Sequence, residues 1–439
     1  MKKYLIIILS VIIISVLLSI PTFASRKRNT MPSCLSGSMM PYDFRLQDSE
    51  HVWQDSLRPV YVAHVARHGA RYISSPKKLD KLKDAIAKAA SAGTLTKEGD
   101  RFSALLKSVE DATGDQWGRL SEVGCNEEVR LAGDLFALMP DLMKNARVKA
   151  ISTYVPRVAM TMYQFCHELT TISSDINITA AEGRKYSYLL RCFTADSAYA
   201  SYRDKGNWSE ISGKLMDSIV SPEPARKILG SVPGLSDHKL RKLTLDMYDV
   251  MQSLAAFGMP SPTDEFMSEA DYRACWEIDN LEHYLRNTDT PLSSLAGKAS
   301  SPLLASIIAD ADASLGARLI DMTVKNASMI PEEAPRAYDA NFYFGHAETL
   351  MPLLSLMRVP GCYDDSGDYA TLSARWKDYE IVPLGANLDI ILLASGKGNI
   401  YTALRLNGKF LSPVEGSDSM IVSWNDYKAY LIDIMMNLR

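Results

Sequence analysis

The chain has 439 residues, 47% of them apolar, and a formal net charge of −4 at pH 7. That length suits one large domain or two of average size, with enough apolar residues for a sizeable core. A mildly acidic balance excludes a general nucleic-acid binder, so a site for an anionic ligand has to be a local concentration of positive charge.

The chain opens MKKYLIIILSVIIISVLLSIPTFA, with Lys2 and Lys3 ahead of an apolar run and small residues ending at Ala24. This is the pattern of a secretory signal peptide over residues 1–24. The rival reading is an uncleaved anchor helix, because the run is near the lower limit for spanning a bilayer. Cleavage removes two lysines and no acid, taking the formal charge from −4 to −6. No later stretch is long and apolar enough to span a membrane. The expectation is an exported protein, periplasmic, secreted or at the cell surface, with no membrane span in the mature chain. The six cysteines (Cys34, Cys125, Cys166, Cys192, Cys275, Cys362) show no C-x-x-C spacing, and both disulfides and buried free thiols are open to them.

Pro59 to Ala66 reads as a strand buried on both faces, the type found in parallel sheets. LDKLKDAIAKAASAG reads as a helix closed by Gly93, and VGCNEEVRLAGDLFALMPDLM has helical spacing. RVKAIST reads as a short strand that leads through YVP into the helical RVAMTMYQFCHELT. Residues 179–335 differ: HKLRKLTLDMYDVMQSLAAFG and its neighbours are helical, with few convincing strands. ANFYFGHAETLMPLLSLM restores the strand-then-helix pattern. EIVPLGANLDIILLAS and YTALRLNGKF add strand candidates, and DYKAYLIDIMMNL closes the chain with a helix. The expectation is an α/β fold with a mostly parallel sheet flanked by helices. Residues 40–178 and 336–439 make up its α/β part, and 179–335 form an inserted, mainly helical cap.

In such sheets ligands bind at the carboxyl ends of strands, and three segments fit that position: ARHGAR, STYVPR and GHAE. A neutral His68, fixed at a strand end, is a competent nucleophile toward phosphorus. Arg67 and Arg71 offer planar forks that match phosphate oxygens, and Gly69 leaves room for a close ligand. Arg157 and His346 stand at helix starts, where free N–H groups favour anions. Glu348 is placed to protonate a departing alkoxide. Alone, Arg157 reads as a surface arginine and Glu348 as an ordinary acid at a helix N-terminus; their joint occurrence with ARHGAR changes that.

Together, RHGAR (Arg67–Arg71), Ser152, Thr153 and Arg157, and HAE (His346–Glu348) resemble the histidine phosphatase superfamily, in its acid phosphatase and phytase branch. GRLSEVG (Gly118–Gly124) resembles a further family segment. The His-Ala-Glu form is most similar to the multiple inositol polyphosphate phosphatases, bacterial members included. The resemblance implies that His68 forms a phosphohistidine. It further implies that Arg67, Arg71, Arg157 and His346 bind the phosphoryl group, that Glu348 is the proton donor, and that no metal or other cofactor is needed. Ile73 departs from the pattern, since relatives commonly carry proline there. Inositol hexakisphosphate and lower inositol phosphates are the implied substrates, with Lys77, Arg184 and Arg191 as outlying contacts; the lysines after the motif read equally as a solvated helix face. A broad-specificity histidine acid phosphatase and a non-catalytic polyanion-binding surface protein are the alternatives.

Overall fold

A computed structural model of the protein describes residues 29–48, 50–324 and 338–438. The expected signal peptide and the expected junction at 335/336 lie outside the described residues.

The apolar run at Pro59 becomes β1 (Leu57–Arg67). Alternate side chains go to opposite faces: Tyr61, Ala63 and Val65 enter one core, Val62 and Ala66 another. A strand apolar on both faces belongs inside a sheet covered on both sides. With β2 (Arg147–Ser152), β3 (Asn177–Glu182), β4 (Ala340–Gly345), β5 (Asn387–Ser395), β6 (Ile400–Leu406), β7 (Lys409–Leu411) and β8 (Ile421–Ser423), β1 builds one sheet. The order is β3-β2-β4-β1-β5-β6-β7, with β8 beside β6. The α/β class expected from the sequence is what the structure has, but the sheet is mixed rather than mostly parallel. β3, β2, β4 and β1 run parallel, whereas the pairings of β5 with β1 and β6, and of β6 with β7 and β8, are antiparallel. The physical reason is connection length, since β5 reaches β6 through a tight turn over 396–399, far too short for a parallel crossover.

The longer helices are α1 (Lys77–Ser91), α2 (Lys97–Thr113), α3 (Glu122–Leu138), α4 (Pro156–Ile172), α5 (Ser197–Lys205) and α6 (Trp208–Ile219). They continue with α7 (Asp237–Met251), α8 (Glu269–Asn287), α9 (Leu295–Val324), α10 (Ala347–Leu356) and α11 (Trp424–Met436). α3 and α4 cover one sheet face through Leu131, Leu135, Val158, Met162 and Phe165. α9, α10 and α11 cover the other through Leu303, Ile307, Leu350, Leu354 and Tyr427. A further core joins α1, α2, α7 and α8 through Leu82, Phe102, Met247 and Trp276, and Ile73 is buried in it. The helical layer therefore draws on residues 77–113 as well as on the middle of the chain. In turn, the division drawn at residue 179 falls inside β3, which pairs with β2 along its whole length. β3 escapes a sequence reading because, as a half-buried edge strand, it carries no apolar run.

Register decides what meets at the strand ends. Arg67 lies opposite Gly345, and Ser152 opposite Phe344. The chain leaving β1, β4 and β2 therefore delivers His68, His346 and Thr153 to one place, and Arg157 follows in the first turn of α4. Among the described residues no helix is long and apolar enough to cross a membrane. All six cysteines are free thiols, four of them buried.

Candidate active site

The loop after β1 is fixed by its own backbone. Ala70 N donates to Glu127 Oε2 at 2.7 Å, and Gly69 N donates to Thr161 Oγ1 at 3.2 Å. Ser121 N donates to Ala70 O at 2.9 Å, while the Ser121 hydroxyl caps α3 by accepting from Gly124 N. The Leu-Ser-x-x-Gly core of GRLSEVG is thus the clamp on this loop. A Cβ on Gly69 would lie 2.9 Å from Glu128 Oε1 and 3.0 Å from Gly124 O. Its expected role, room for a ligand, gives way to close packing against α3. Gly345 is similarly constrained, since a Cβ there would lie 2.4 Å from Thr349 Oγ1. That hydroxyl accepts from His346 N at 2.9 Å and sets the entry into α10.

His68 is 3% exposed, and its Nδ1 lies 2.9 Å from Gly69 O. A carbonyl only accepts, so Nδ1 carries the proton and Nε2 of the neutral ring keeps a bare lone pair. Burial first, then Arg157 and Arg67, push the imidazole pKa well below its ordinary value, so the ring is neutral at physiological pH. The His346 ring stands nearly perpendicular to it, 5.7 Å away between centres, with Nε2 3.4 Å from Thr153 Oγ1. Burial pulls His346 down to about 3, against the opposing pull of Glu348.

Arg67 is anchored by donating from Nη1 to Ser38 O at 2.6 Å and to Val382 O. Arg71 Nη1 donates to Tyr72 O at 3.0 Å. The Nε atoms of Arg67, Arg71 and Arg157 are all buried without a hydrogen-bond partner. Burial lowers each guanidinium to about 10, which leaves it charged at neutral pH. Buried cations with unspent donors are costly unless an anion joins them. Burial alone would raise the Glu348 carboxyl; the Arg203 guanidinium, 3.3 Å away, together with His346 and Arg67, instead holds it down at about 2.

These groups line a cavity of about 420 Å³ between the strand ends and the helices α7 and α8. Of the sequence-derived set, Arg67, His68, Arg71, Arg157 and Glu348 line this cavity, and His346 stands against His68. Arg191 lies just beyond, its Cζ 5.1 Å over the Phe193 ring, which in turn packs against His346. Arg184, exposed, sits 4.3 Å over Tyr154. Lys77 is exposed and does not line the cavity. Its neighbour Lys78 does, paired with Asp249, while Lys81 pairs with Asp246.

The sequence reading missed Arg203, Arg286 and His283, together with Asp246, Asp249, Asp279 and Glu282. A signal existed for part of this set: Asp279, Glu282, His283 and Arg286 follow i, i+3, i+4, i+7 spacing, one face of α8. Asp279, His283 and Asp378 bring ligand-type atoms within 4.8 Å of one another. Asp378, however, already accepts from Ser38 N (2.9 Å) and Trp276 Nε1 (3.0 Å) and lies 2.9 Å from His283 Nδ1, so it works as a hydrogen-bond hub. His64 is likewise structural, 2.6 Å from Asp389 and stacked on Phe165.

No protein-family model matches the sequence. The Bifidobacterium longum multiple inositol polyphosphate phosphatase, in its complex with inositol hexasulfate, superposes with a TM-score of 0.71 at 14% identity, covering 90% of this chain and 97% of that one. Its phosphate complex gives 0.66 at 13% identity, covering 91% and 98%. The phytase from D. castellii gives 0.60 at 15% identity, covering 92% and 85%. The chain has the fold of these phosphatases over nearly its full described length.

Proposed function

We propose that the protein is an exported phosphomonoesterase that removes phosphates from inositol polyphosphates, inositol hexakisphosphate included. The observation that carries the reading is His68, neutral, tied at Nδ1 and bare at Nε2, among three arginines with unspent buried donors. The named substrates of the structurally similar proteins support the polyphosphate class. Export rests on the signal-peptide pattern of residues 1–24.

On this reading, Arg67, Arg71, Arg157 and His346 hold the phosphoryl oxygens and stabilise their charge in the transition state. His68 Nε2 attacks phosphorus; the N–P bond forms as the P–O bond to the alcohol breaks, and Glu348 gives its proton to the leaving oxygen. Water then attacks the phosphohistidine. The Glu348 carboxylate takes a proton from that water, the N–P bond breaks, and inorganic phosphate leaves.

The carboxylates Asp279 and Glu282 in the cavity wall favour a second reading, a broad acid phosphatase for less charged esters. Turnover of inositol hexakisphosphate against p-nitrophenyl phosphate, with chromatography of the inositol products, tests both. Hydrolysis of the aryl ester alone would sink the inositol phosphate reading and leave the broad one.

A further inference from the structure

Two guanidinium groups are unused by the mechanism above: Arg286 lines this cavity, and Arg203 stands behind its wall, paired with the lining Glu348. Arg203, on α5, has Nη2 3.3 Å from Glu348 Oε1 and donates from Nε to Asn287 Oδ1 at 2.9 Å. Its Cζ lies 5.1 Å over the Phe193 ring, and its side chain is 13% exposed. Arg286, on α8, lines the cavity with Cζ 4.8 Å over the Trp208 ring. Its Nε is buried without a partner. Arginines fixed by aromatic faces and an amide, with donors left over, are built to take an anion.

The pairing of Arg203 with Glu348 conflicts with the chemistry. A carboxylate gripped by a guanidinium stays ionised, yet a departing alkoxide needs a protonated carboxyl. We infer that Arg203 and Arg286 form a second phosphate-binding place beside the one at His68, and that filling it draws Arg203 from Glu348, which then takes up the proton it delivers. The inference rests on the phosphatase reading above. The ligand class is a polyphosphorylated alcohol, with one phosphate at His68 and a neighbouring one between the two arginines. The exchange breaks no covalent bond: the proton comes from solvent to Glu348, then passes to the bridging oxygen as the P–O bond breaks. A monophosphate leaves Arg203 where it is and departs with less acid assistance.

Other charged groups face Glu348 as well. Arg67 and Arg71 approach from the end of β1, Arg157 from α4, and His346 from the residue before α10. The helical side adds His283 and Arg286 of α8, Tyr199 of α5, and Cys192. Arg67 is held by backbone carbonyls and His283 by Asp378, and Arg71, Arg157 and His346 serve the transferring phosphate. Arg203 is the cation placed to change partners.

Steady-state kinetics on the full chain from about pH 4 to about pH 8 test this, with inositol hexakisphosphate and 2-glycerophosphate as the poly- and monophosphate. In Arg203→Gln, the alkaline limb of kcat for 2-glycerophosphate moves up by about one pH unit, because the cation that keeps Glu348 ionised is gone. In the same variant KM for the hexakisphosphate rises roughly tenfold, the worth of one charge-assisted contact. Arg203→Lys restores most of both. Arg286→Gln raises the hexakisphosphate KM by a similar factor and leaves the limb in place. Equal losses on both substrates with an unmoved limb overturn the inference, as does an unchanged hexakisphosphate KM in both glutamine variants. Wild-type protein that turns over neither ester overturns the phosphatase reading itself.

Discussion

Gly124→Ala tests whether the segment behind the loop, rather than the loop's own sequence, positions His68, the proposed nucleophile. A Cβ at 124 would lie 2.2 Å from Ala70 O and 2.7 Å from Ala70 N. An ordinary carbon–oxygen contact is about 3.3 Å, so Ala70 must withdraw by roughly 1 Å. Both obstacles are backbone atoms and cannot swing aside as a side chain can. Withdrawal strains the bonds from Ala70 N to Glu127 and from Ser121 N to Ala70 O, each worth about 1 kcal/mol. Overpacking adds about 1–3 kcal/mol, for an expected loss of about 3–5 kcal/mol in urea unfolding. His68 is two residues upstream of Ala70, and a shift of about 1 Å at a reacting group costs on the order of 100-fold in rate. The kcat on p-nitrophenyl phosphate should fall by that order. Gly133→Ala is the control, on the same helix with nothing within 4 Å of its Cβ, and it should be neutral or slightly stabilising. A Gly124→Ala protein as stable and as active as Gly133→Ala would refute the clamp.

Further outcomes follow from the same geometry. His68→Ala should abolish turnover while inorganic phosphate still raises the unfolding temperature, since the arginines remain; residual activity near that of the parent would remove His68 as nucleophile. Glu348→Gln should slow alkyl phosphates by about 100-fold or more and activated aryl phosphates far less, and uniform slowing would argue against the donor role. Burial alone would lower His283, but Asp279 and Asp378 raise it to about 9. A raised histidine contributes stability that is complete below its unfolded value of about 6.5 and is lost as pH rises through about 9, here about 3 kcal/mol. Asp378→Asn should weaken that pH dependence in unfolding curves between about pH 6 and about pH 10, with the share due to Asp279 left in place; an identical slope in the variant would assign it elsewhere. With all six cysteines free, a reductant should leave the unfolding midpoint unchanged.

What was legible in the sequence was legible for local reasons. β1 announces itself because both its faces are buried, and His68, Arg157 and His346 announce themselves because each stands where a strand ends or a helix begins. The groups that escaped notice depend on tertiary packing. Arg203 sits in YASYRDK on a short α5, where nothing local separates it from a surface arginine; only the packing of α5 against α8 and α9 brings it to Glu348. Ser38 and Val382 hold Arg67 through main-chain carbonyls, and a carbonyl has no sequence signature. The antiparallel half of the sheet was hidden for a related reason. β5, apolar over most of its length, looks like a parallel-sheet strand, and only the shortness of the turn after it says otherwise. Ile73, the one departure in the motif, is explained by its place in the core beneath α1 and α2, where an aliphatic side chain fills space.

On the proposed mechanism, the two halves of the reaction need opposite states of Glu348. The residues around it favour only one of them: against burial, Arg203, with His346 and Arg67, holds the Glu348 carboxyl down at about 2. That state suits the second half, where a carboxylate takes a proton from water. The first half needs the acid, so its proton has to arrive with the negative charge of the substrate, which offsets the same guanidinium field. His68 carries no such conflict, because burial, ahead of the arginines, holds its pKa well below the ordinary value, and attack on phosphorus requires a neutral ring. Substrate charge is therefore part of the catalytic apparatus. A site arranged in this way works best on esters that bring more than one phosphate, and it loses its first step before its second as pH rises.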